Sequence, residues 1–108
     1  MKIFYCDYGT GKDVEAENPL SVSPEEALDL FADLSPCEGS FFGVIDTEDR
    51  TIQFMWNEDM TLHLDIPQPE NNGSLTGTVS FEDAETIILD ISKGKDPATI
   101  GGLVFLPW

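Results

Sequence analysis

His63 and Asp65 are the two side chains whose types and spacing come closest to a chemical function. His63 is the only histidine of the chain, and both residues lie in the segment Met60–Ile66 at alternate positions. Alternate residues of a β-strand point to the same side, so an acid–base pair or half of a metal site is conceivable. A zinc site needs further ligands, and neither Cys6 nor Cys37 has the spacing to supply them. We therefore predict that His63 is a surface residue without a catalytic or metal-binding role.

Two other short motifs resemble ligand sites but fail in their spacing. Asp46–Asp49 begins like a calcium loop, yet Thr51 occupies the place of the required glycine and Asn57 that of the closing glutamate. Gly9–Lys12 looks like a phosphate loop, but it lacks the spacing of a P-loop and leads into an acidic segment. There is no nucleophile-elbow motif, and neither cysteine has an evident base partner beyond His63. The sequence thus predicts a turn at Asp46–Asp49, no enzymatic activity and no cofactor.

Carboxylates recur in the turns and on the polar side of the central segment. Each acid taken alone is typical of a solvated surface. Together they could dock into a basic cleft, as inhibitors of nucleases do when carboxylates take the place of phosphates, with a methionine and the histidine adding contact area. The candidate partner-binding residues are Glu48, Asp49, Met55, Glu58, Asp59, His63, Asp65 and Glu70.

Period-two alternation predicts an antiparallel meander with strands at 40–45, 50–57 and 60–66. In the last of these, Leu62 and Leu64 alternate with His63 and Asp65, so one side faces a core and the other does not. Trp56 alternates in the same way in the preceding strand and is a predicted core residue. Further strands are predicted at 2–8, 75–79 and 101–108, and loops at 12–20 and 67–74.

Two amphipathic helices are indicated by their capping residues. Ser23, with Pro24 and Glu26 after it, has the form of a capping box, and Ser80 lies three residues before Asp83 in the same way. Apolar residues follow each cap at helical spacing, namely Ala27, Leu28, Phe31 and Leu34, then Phe81, Ala84, Ile88 and Ile91. The order of elements predicts an α+β fold, an antiparallel β-sheet of about five to six strands with two amphipathic helices packed on it.

Length and composition fit a single folded domain over residues 1–108. Hydrophobic residues make up 41% of the chain, enough for one core. No apolar run approaches the roughly 20 residues that span a bilayer, and the N-terminus lacks the features of a signal peptide. We therefore expect a cytoplasmic protein. Cys6 and Cys37 could in principle form a disulfide, but in that compartment we expect two reduced, packed thiols.

The charge of the chain points to a basic partner. Twenty-one acidic residues stand against five basic ones, which gives a formal net charge of -16. Solubility alone asks for a net charge of about 2 to 8 in a small domain. Such a surface repels nucleic acid and anionic membranes and accelerates the approach of basic proteins. We expect a basic protein partner, with no direct contact to nucleic acid or membrane.

The sequence resembles immunity proteins of bacterial polymorphic-toxin and contact-dependent inhibition systems, most nearly the Imm1-like group. The similarity lies in the helix SVSPEEALDLFADL before SFFGVIDTEDRTIQFMW, and in the closing block TVSFEDAETIILDISKGKDPATIGGLVFLPW. This resemblance implies a cytoplasmic, non-catalytic protein that binds and blocks a cognate toxin domain, often a nuclease or a deaminase. It implies no particular binding residues, because such interfaces vary among relatives.

Two functions are therefore expected of this sequence. The first is an immunity protein that binds a basic toxin domain and occludes its active site with an acidic surface. The alternative is a phage- or mobile-element-encoded acidic mimic of nucleic acid that binds a host DNA-binding protein. The sequence leaves the oligomeric state open.

Overall fold

The computed structural model describes residues 1–108 as one antiparallel sheet with two helices on one face. The strands are β1 (Lys2–Cys6), β2 (Asp13–Val14), β3 (Leu20–Ser21), β4 (Phe41–Ile45), β5 (Thr51–Trp56), β6 (Leu62–Gln68), β7 (Gly73–Val79) and β8 (Val104–Pro107). They run in the order β2-β1-β4-β5-β6-β7-β8, and β3 pairs with β1 on the same edge as β2. The predicted α+β fold is confirmed, with eight strands in place of five to six.

The additional strands come from the segment that was expected to be a loop, residues 12–20. Asp13 and Val14 pair with Cys6 and Tyr5, and Leu20–Ser21 pairs with the beginning of β1. Each pairing involves only two residues, which is too short for an alternation of apolar and polar residues to predict a strand. These strands form because the outer edge of β1 offers unpaired backbone groups, which is a tertiary cause.

The expected loop 67–74 is also wrong in its extent. β6 continues through Gln68 and β7 begins at Gly73, so only a 3-10 turn at Pro69–Asn71 and Asn72 join them. Asn72 adopts the left-handed conformation (φ 54°) that closes this connection. The result is a seven-residue ladder between β6 and β7, which brings Glu70 to the end of the sheet.

Both helices begin as their capping residues predict. In α1 (Pro24–Asp33), the Ser23 hydroxyl accepts from Glu26 N at 3.2 Å, and the Glu26 carboxylate accepts from Ser23 N at 3.1 Å. In α2 (Phe81–Ser92), Ser80 Oγ accepts from Asp83 N at 3.1 Å. These bonds satisfy backbone donors that would otherwise lack partners at a helix start. No helix in the structure is long and apolar enough to cross a membrane.

An aromatic cluster joins the helix layer to the sheet. The Phe31 ring of α1 lies 5.3 Å from Phe42 and 5.7 Å from Phe54, and it stacks on Phe81 of α2 at 5.1 Å. Trp56 stacks on Phe81 at 6.2 Å and is buried, which confirms it as a core residue. The main hydrophobic cluster therefore lies between the helices and one face of the sheet, and the opposite face carries no helix.

Candidate functional site

Three of the predicted partner-binding residues, Met55, His63 and Asp65, lie on the face of the sheet that carries no helix. Leu62, Leu64 and Ile66 of β6 point into the core, so the residues between them point outward. The same alternation holds in the neighbouring strands, and paired residues share a face. We call the outward set the helix-free face; it comprises Lys2, Phe4, Cys6, Phe41, Gly43, Ile45, Thr51, Gln53, Met55, His63, Asp65, Pro67, Ser74, Thr76, Thr78, Val104 and Leu106.

One part of this face is packed by a phenylalanine of β1. The Phe4 ring meets Phe41 edge-on at 6.4 Å between centroids and lies over Gly43. A side chain at Gly43 would overlap the ring, so the glycine is what allows Phe4 to lie flat on β4. Phe4 is buried although no helix covers it. The side chains of Phe4 and Phe41 thus form an apolar surface on this part of the sheet.

Asp65 lies near the centre of the helix-free face with an unsatisfied oxygen. Its neighbours in the ladder are Gln53 of β5 and Thr76 of β7. Its Oδ1 is buried and accepts no hydrogen bond. A buried acceptor without a partner costs about 1–3 kcal/mol, and more when it is charged. The side chain as a whole is half-buried, so a donor from a bound molecule would remove that cost once the carboxylate rotates to expose Oδ1.

His63 does not supply this donor. It faces Met55 on β5 and Thr78 on β7, and it is half-buried. The three ion pairs of the structure involve neither His63 nor Asp65. The shared face predicted for the two residues is confirmed, but they do not form an acid–base dyad. No group of three or more His, Cys, Asp or Glu side chains is arranged to hold a metal ion.

The predicted acidic residues divide between the two ends of the sheet. Glu48 and Asp49 lie in the β4–β5 turn and Glu70 in the β6–β7 connection, which share one end because alternate connections of a meander do. Glu58 and Asp59 lie in the β5–β6 turn at the other end. Asp59 accepts from the backbone N–H of Thr61 at 3.1 Å and from its hydroxyl at 2.5 Å, and these bonds lower the pKa of Asp59. Its carboxylate holds the turn in shape.

A groove joins the acids of the first end. It has a volume of about 700 Å³. Its acidic lining consists of the three predicted residues Glu48, Asp49 and Glu70, together with Asp96, which the sequence did not single out. Arg50 lies among them and binds Asp46 through Nε at 2.7 Å and Asp96 through a terminal nitrogen at 3.2 Å. We call this feature the acidic groove.

Asp96 escaped the sequence-based prediction because nothing local marks it. It caps the 3-10 turn Pro97–Thr99 by accepting from Ala98 N at 2.9 Å, which is ordinary turn chemistry. Asp96 is far from Arg50 in the sequence, so the ion pair that holds the turn against the sheet cannot be predicted from a local pattern. Only the folded structure shows that this turn lines the groove.

The last strand forms an exposed apolar row at the other side of the helix-free face. Val104, Leu106 and Trp108 are 62%, 52% and 70% exposed. The Trp108 indole donates from Nε1 to Ser74 Oγ at 3.0 Å, which ties the row to β7. The sequence predicts an apolar strand here, whose side chains would ordinarily be buried. In the structure it is an edge strand with its side chains in solvent.

Pro107 limits what can pair with this edge. Trp108 N donates to Asn72 O at 2.8 Å, and the register of β8 on β7 is continuous with this bond. In that register Val104 and Leu106 direct their backbone groups to β7, whereas Phe105 and Pro107 direct theirs outward. Pro107 has no N–H, so the outer edge lacks a donor at that position. The exposed side chains of β8 therefore offer contact area with few backbone donors for another strand.

The two loops that resembled ligand sites are held by their own aspartates. In Gly9–Lys12 all four backbone N–H groups have internal acceptors, including Asp7 Oδ1 for Gly9 at 2.8 Å and Thr10 at 3.1 Å. In the β4–β5 turn, Asp46 Oδ1 accepts from the N–H groups of Glu48 and Arg50, each at 2.9 Å. The turn predicted there is confirmed, and no amide of Gly9–Lys12 is left to bind a phosphate.

The two cysteines lie on separate elements as free thiols. Cys6 ends β1 and is half-buried, whereas Cys37 follows α1 and is exposed. The expectation that both are packed is wrong for Cys37. The break that Pro36 imposes after the helix places the residue in a surface turn.

The chain was compared with protein-family models, with curated proteins and with solved structures. None of the three comparisons found a match.

Proposed function

We propose that this chain is a cytoplasmic, non-catalytic immunity protein that binds a basic toxin domain and occludes its active site through the helix-free face. The observation that carries the proposal is the buried, unpartnered Oδ1 of Asp65 at the centre of that face. Rotation of the half-buried side chain would present this oxygen to a cationic or N–H donor of the partner. The resemblance of the sequence to the Imm1-like immunity proteins supports the same function.

The distribution of polarity on the helix-free face also fits a protein partner. Protein interfaces have a centre depleted of charge and a polar rim. Along β4–β8 this face carries one carboxylate, Asp65, while the remaining predicted acids lie in the turns at its ends. An interface of standard size buries about 800 Å² on each partner. The molecule has an accessible surface of 6029 Å², so one face can supply that area.

The same distribution favours the immunity protein over a mimic of nucleic acid. A mimic must present carboxylates along its contact surface, as a duplex presents phosphates. Here the centre of the helix-free face consists of threonine, serine and glutamine with apolar side chains, for example Thr76, Gln53 and Met55. We therefore assign the acids to steering and to the rim of an interface.

A growth assay tests the proposed function. The gene next to this one in its genome is expressed in a sensitive host, alone and together with this chain. We expect growth arrest in the first case and growth in the second, with a 1:1 complex of the two proteins on size-exclusion chromatography. A neighbouring protein that arrests growth equally in the presence of this chain and forms no complex with it would contradict the proposal.

A pair of matched variants locates the interface. Thr78 is exposed on the helix-free face and Thr86 is exposed on α2. We expect Thr78→Arg to weaken toxin binding by about tenfold or more, because like charges placed against each other in an interface cost several kcal/mol. Thr86→Arg, the same change on the helix layer, should leave the dissociation constant unchanged. Equal effects of both variants would place the interface elsewhere.

A further inference from the structure

The acidic groove lies where three connections meet at one end of the sheet. The β4–β5 turn supplies Glu48 and Asp49, the β6–β7 connection supplies Glu70, and the 3-10 turn Pro97–Thr99 follows Asp96. With a volume of about 700 Å³, it falls within the range of about 300–1,000 Å³ that is usual for ligand pockets. It is therefore large enough to enclose a long side chain together with its backbone.

The charges of the groove are unbalanced in a defined way. Four carboxylates and one guanidinium line it, which gives a formal charge of -3. Arg50 is already bound to Asp46 and Asp96; it interacts with Glu48 only at longer range and forms no ion pair with Glu48, Asp49 or Glu70. Three carboxylates thus face one cavity without a cation of their own.

The β4–β5 turn is held in shape before any ligand arrives. Asp46 is buried and accepts three bonds, from Glu48 N and Arg50 N at 2.9 Å and from Arg50 Nε at 2.7 Å. Asp49 adopts the left-handed conformation, with a φ of 58°, that this tight turn requires. The backbone of Glu48 and Asp49 is consequently fixed by the turn, so only their exposed side chains need ordering on binding.

Part of the floor between the acids is apolar, and Thr51, Gln53 and Gln68 line the rest. Phe4 and Pro97 are buried there, and Ile45 and Pro67 are half-buried. A floor of this kind suits the methylene stem of a long cationic side chain, whose charged end then reaches the carboxylates. A small inorganic cation would gain nothing from the apolar part, and a neutral apolar ligand would leave the carboxylates desolvated and unpaired.

We propose that the acidic groove receives an arginine side chain of a basic protein partner. The guanidinium group donates to the unpaired carboxylates, and the stem lies on the apolar floor. Arginine suits the groove better than lysine, because its planar group offers five donors to several carboxylates at once. The identity of the partner rests on the proposed function, whereas the chemistry of the groove does not.

A titration with a short peptide tests this inference without the toxin. The ¹⁵N-labelled protein is titrated with the blocked peptide Gly-Arg-Gly, and the amide shifts are followed by NMR. We expect shifts concentrated at Thr51, Gln68 and Ala98, which line the groove. The citrulline peptide, which has the same shape without the charge, should produce none. Equal shifts with citrulline, or shifts spread over the acids of α2, would overturn the proposal.

Matched charge variants complete the test. The carboxylates of Glu48 and Glu70 accept no hydrogen bond and form no ion pair, and the bond from Glu48 N to Asp46 is kept in a glutamine, so Glu48→Gln with Glu70→Gln should fold normally. We expect this double variant to weaken peptide binding by about threefold to tenfold, as the loss of two partly exposed charge contacts implies. Glu82→Gln with Glu85→Gln on α2 removes the same charge outside the groove and should leave binding unchanged. Equal weakening by both double variants would show that the peptide responds only to the net charge of the protein, and it would overturn the inference.

The peptide titration and the growth assay can fail independently. A chain that neutralises its toxin but does not bind the arginine peptide in the groove keeps the proposed function and disproves this inference. A chain that binds the peptide in the groove but neutralises no neighbouring toxin confirms the site and disproves the proposed function.

Discussion

Asp7 shows how a single carboxylate can organise a region that has no regular structure. It accepts the backbone N–H groups of Gly9 and Thr10 and, from the chain that leaves α1, that of Ser35 at 3.0 Å. These bonds lower the pKa of Asp7 from 3.8 to about 2, the bond from Ser35 contributing most. One buried side chain therefore fastens the end of β1 to the end of the first helix.

The lowered pKa of Asp7 predicts how stability depends on pH. Because the folded-state pKa lies below the unfolded value, the contribution of Asp7 is complete above about pH 4 and is lost as the pH falls towards 2. We expect Asp7→Asn to be less stable than the parent protein at pH 6 and to approach it near pH 2. Urea denaturation of both proteins between pH 2 and 6 measures the difference, in which the effects of Glu26 and Asp59 cancel.

A difference between the two proteins that stays constant over that pH range would contradict this account. It would mean that the shape of the carboxyl group matters and its charge does not. Asp33→Asn, at an exposed carboxylate for which no side-chain hydrogen bond is found, is a suitable control and should follow the parent protein throughout.

At the scale of elements, β8 is the strand that the hydrophobic pattern describes least well. Residues 101–108 contain no charge, which would ordinarily place a strand inside a sheet. Instead, β8 pairs on one side only, with β7, and its side chains are exposed. An apolar edge is prone to pair with other chains, and Pro107 is the residue that limits this.

The role of Pro107 predicts the behaviour of one variant. Pro107→Val would add an N–H to the outward side of β8, next to exposed Leu106 and Trp108. We expect the variant to self-associate as its concentration rises, because two such edges can then pair. Sedimentation velocity over a concentration series measures this. Thr78→Val adds a similar exposed apolar side chain on β7 without adding a backbone N–H, so it should sediment as the parent protein does.

A Pro107→Val protein that sediments as the parent does at every concentration would show that proline does not protect the edge. Exposed Trp108 provides a second readout, since its fluorescence should shift to shorter wavelength when the edge becomes covered, whereas Trp56 is buried in either case.

At the scale of the whole molecule, repulsion among carboxylates is the dominant electrostatic effect. The formal net charge is -16, and only three ion pairs form. Like charges on a compact domain destabilise it by self-repulsion, and the same field attracts a basic partner. Stability and association should therefore respond to salt in opposite directions.

We expect added salt to stabilise the free protein and to slow its association with a basic toxin. Raising ionic strength from 0.1 M to 1 M shortens the screening length from about 10 Å to about 3 Å. A gain of about 1 kcal/mol would raise the Tm by roughly 4–8 °C in a domain of this size. Thermal unfolding in NaCl, with stopped-flow association at the same salt concentrations, measures both. A Tm that falls with salt, or an association rate that salt leaves unchanged, would contradict this balance of charges.

Local interactions explain how much of the fold could be predicted. The caps at Ser23 and Ser80 involve partners three residues away, and the alternation in β5 and β6 repeats every two residues. Such signals lie within a short window, so the helices, the meander and the buried position of Trp56 follow from them. The shared face of His63 and Asp65 follows in the same way.

The remaining features depend on partners that are distant in sequence. β2 and β3 exist because the edge of β1 is free, and the acidic groove exists because Arg50 binds Asp46 and Asp96 together. The sequence by itself determined the elements, the side of each strand that faces the core, and the charge. Only the tertiary structure decided which acids meet, that β8 is an exposed edge, and that Asp65 lacks a partner. The physical reason is that helix caps and hydrophobic periodicity depend on residues close together in the sequence. Burial, ion pairs and free strand edges arise only when separate elements pack.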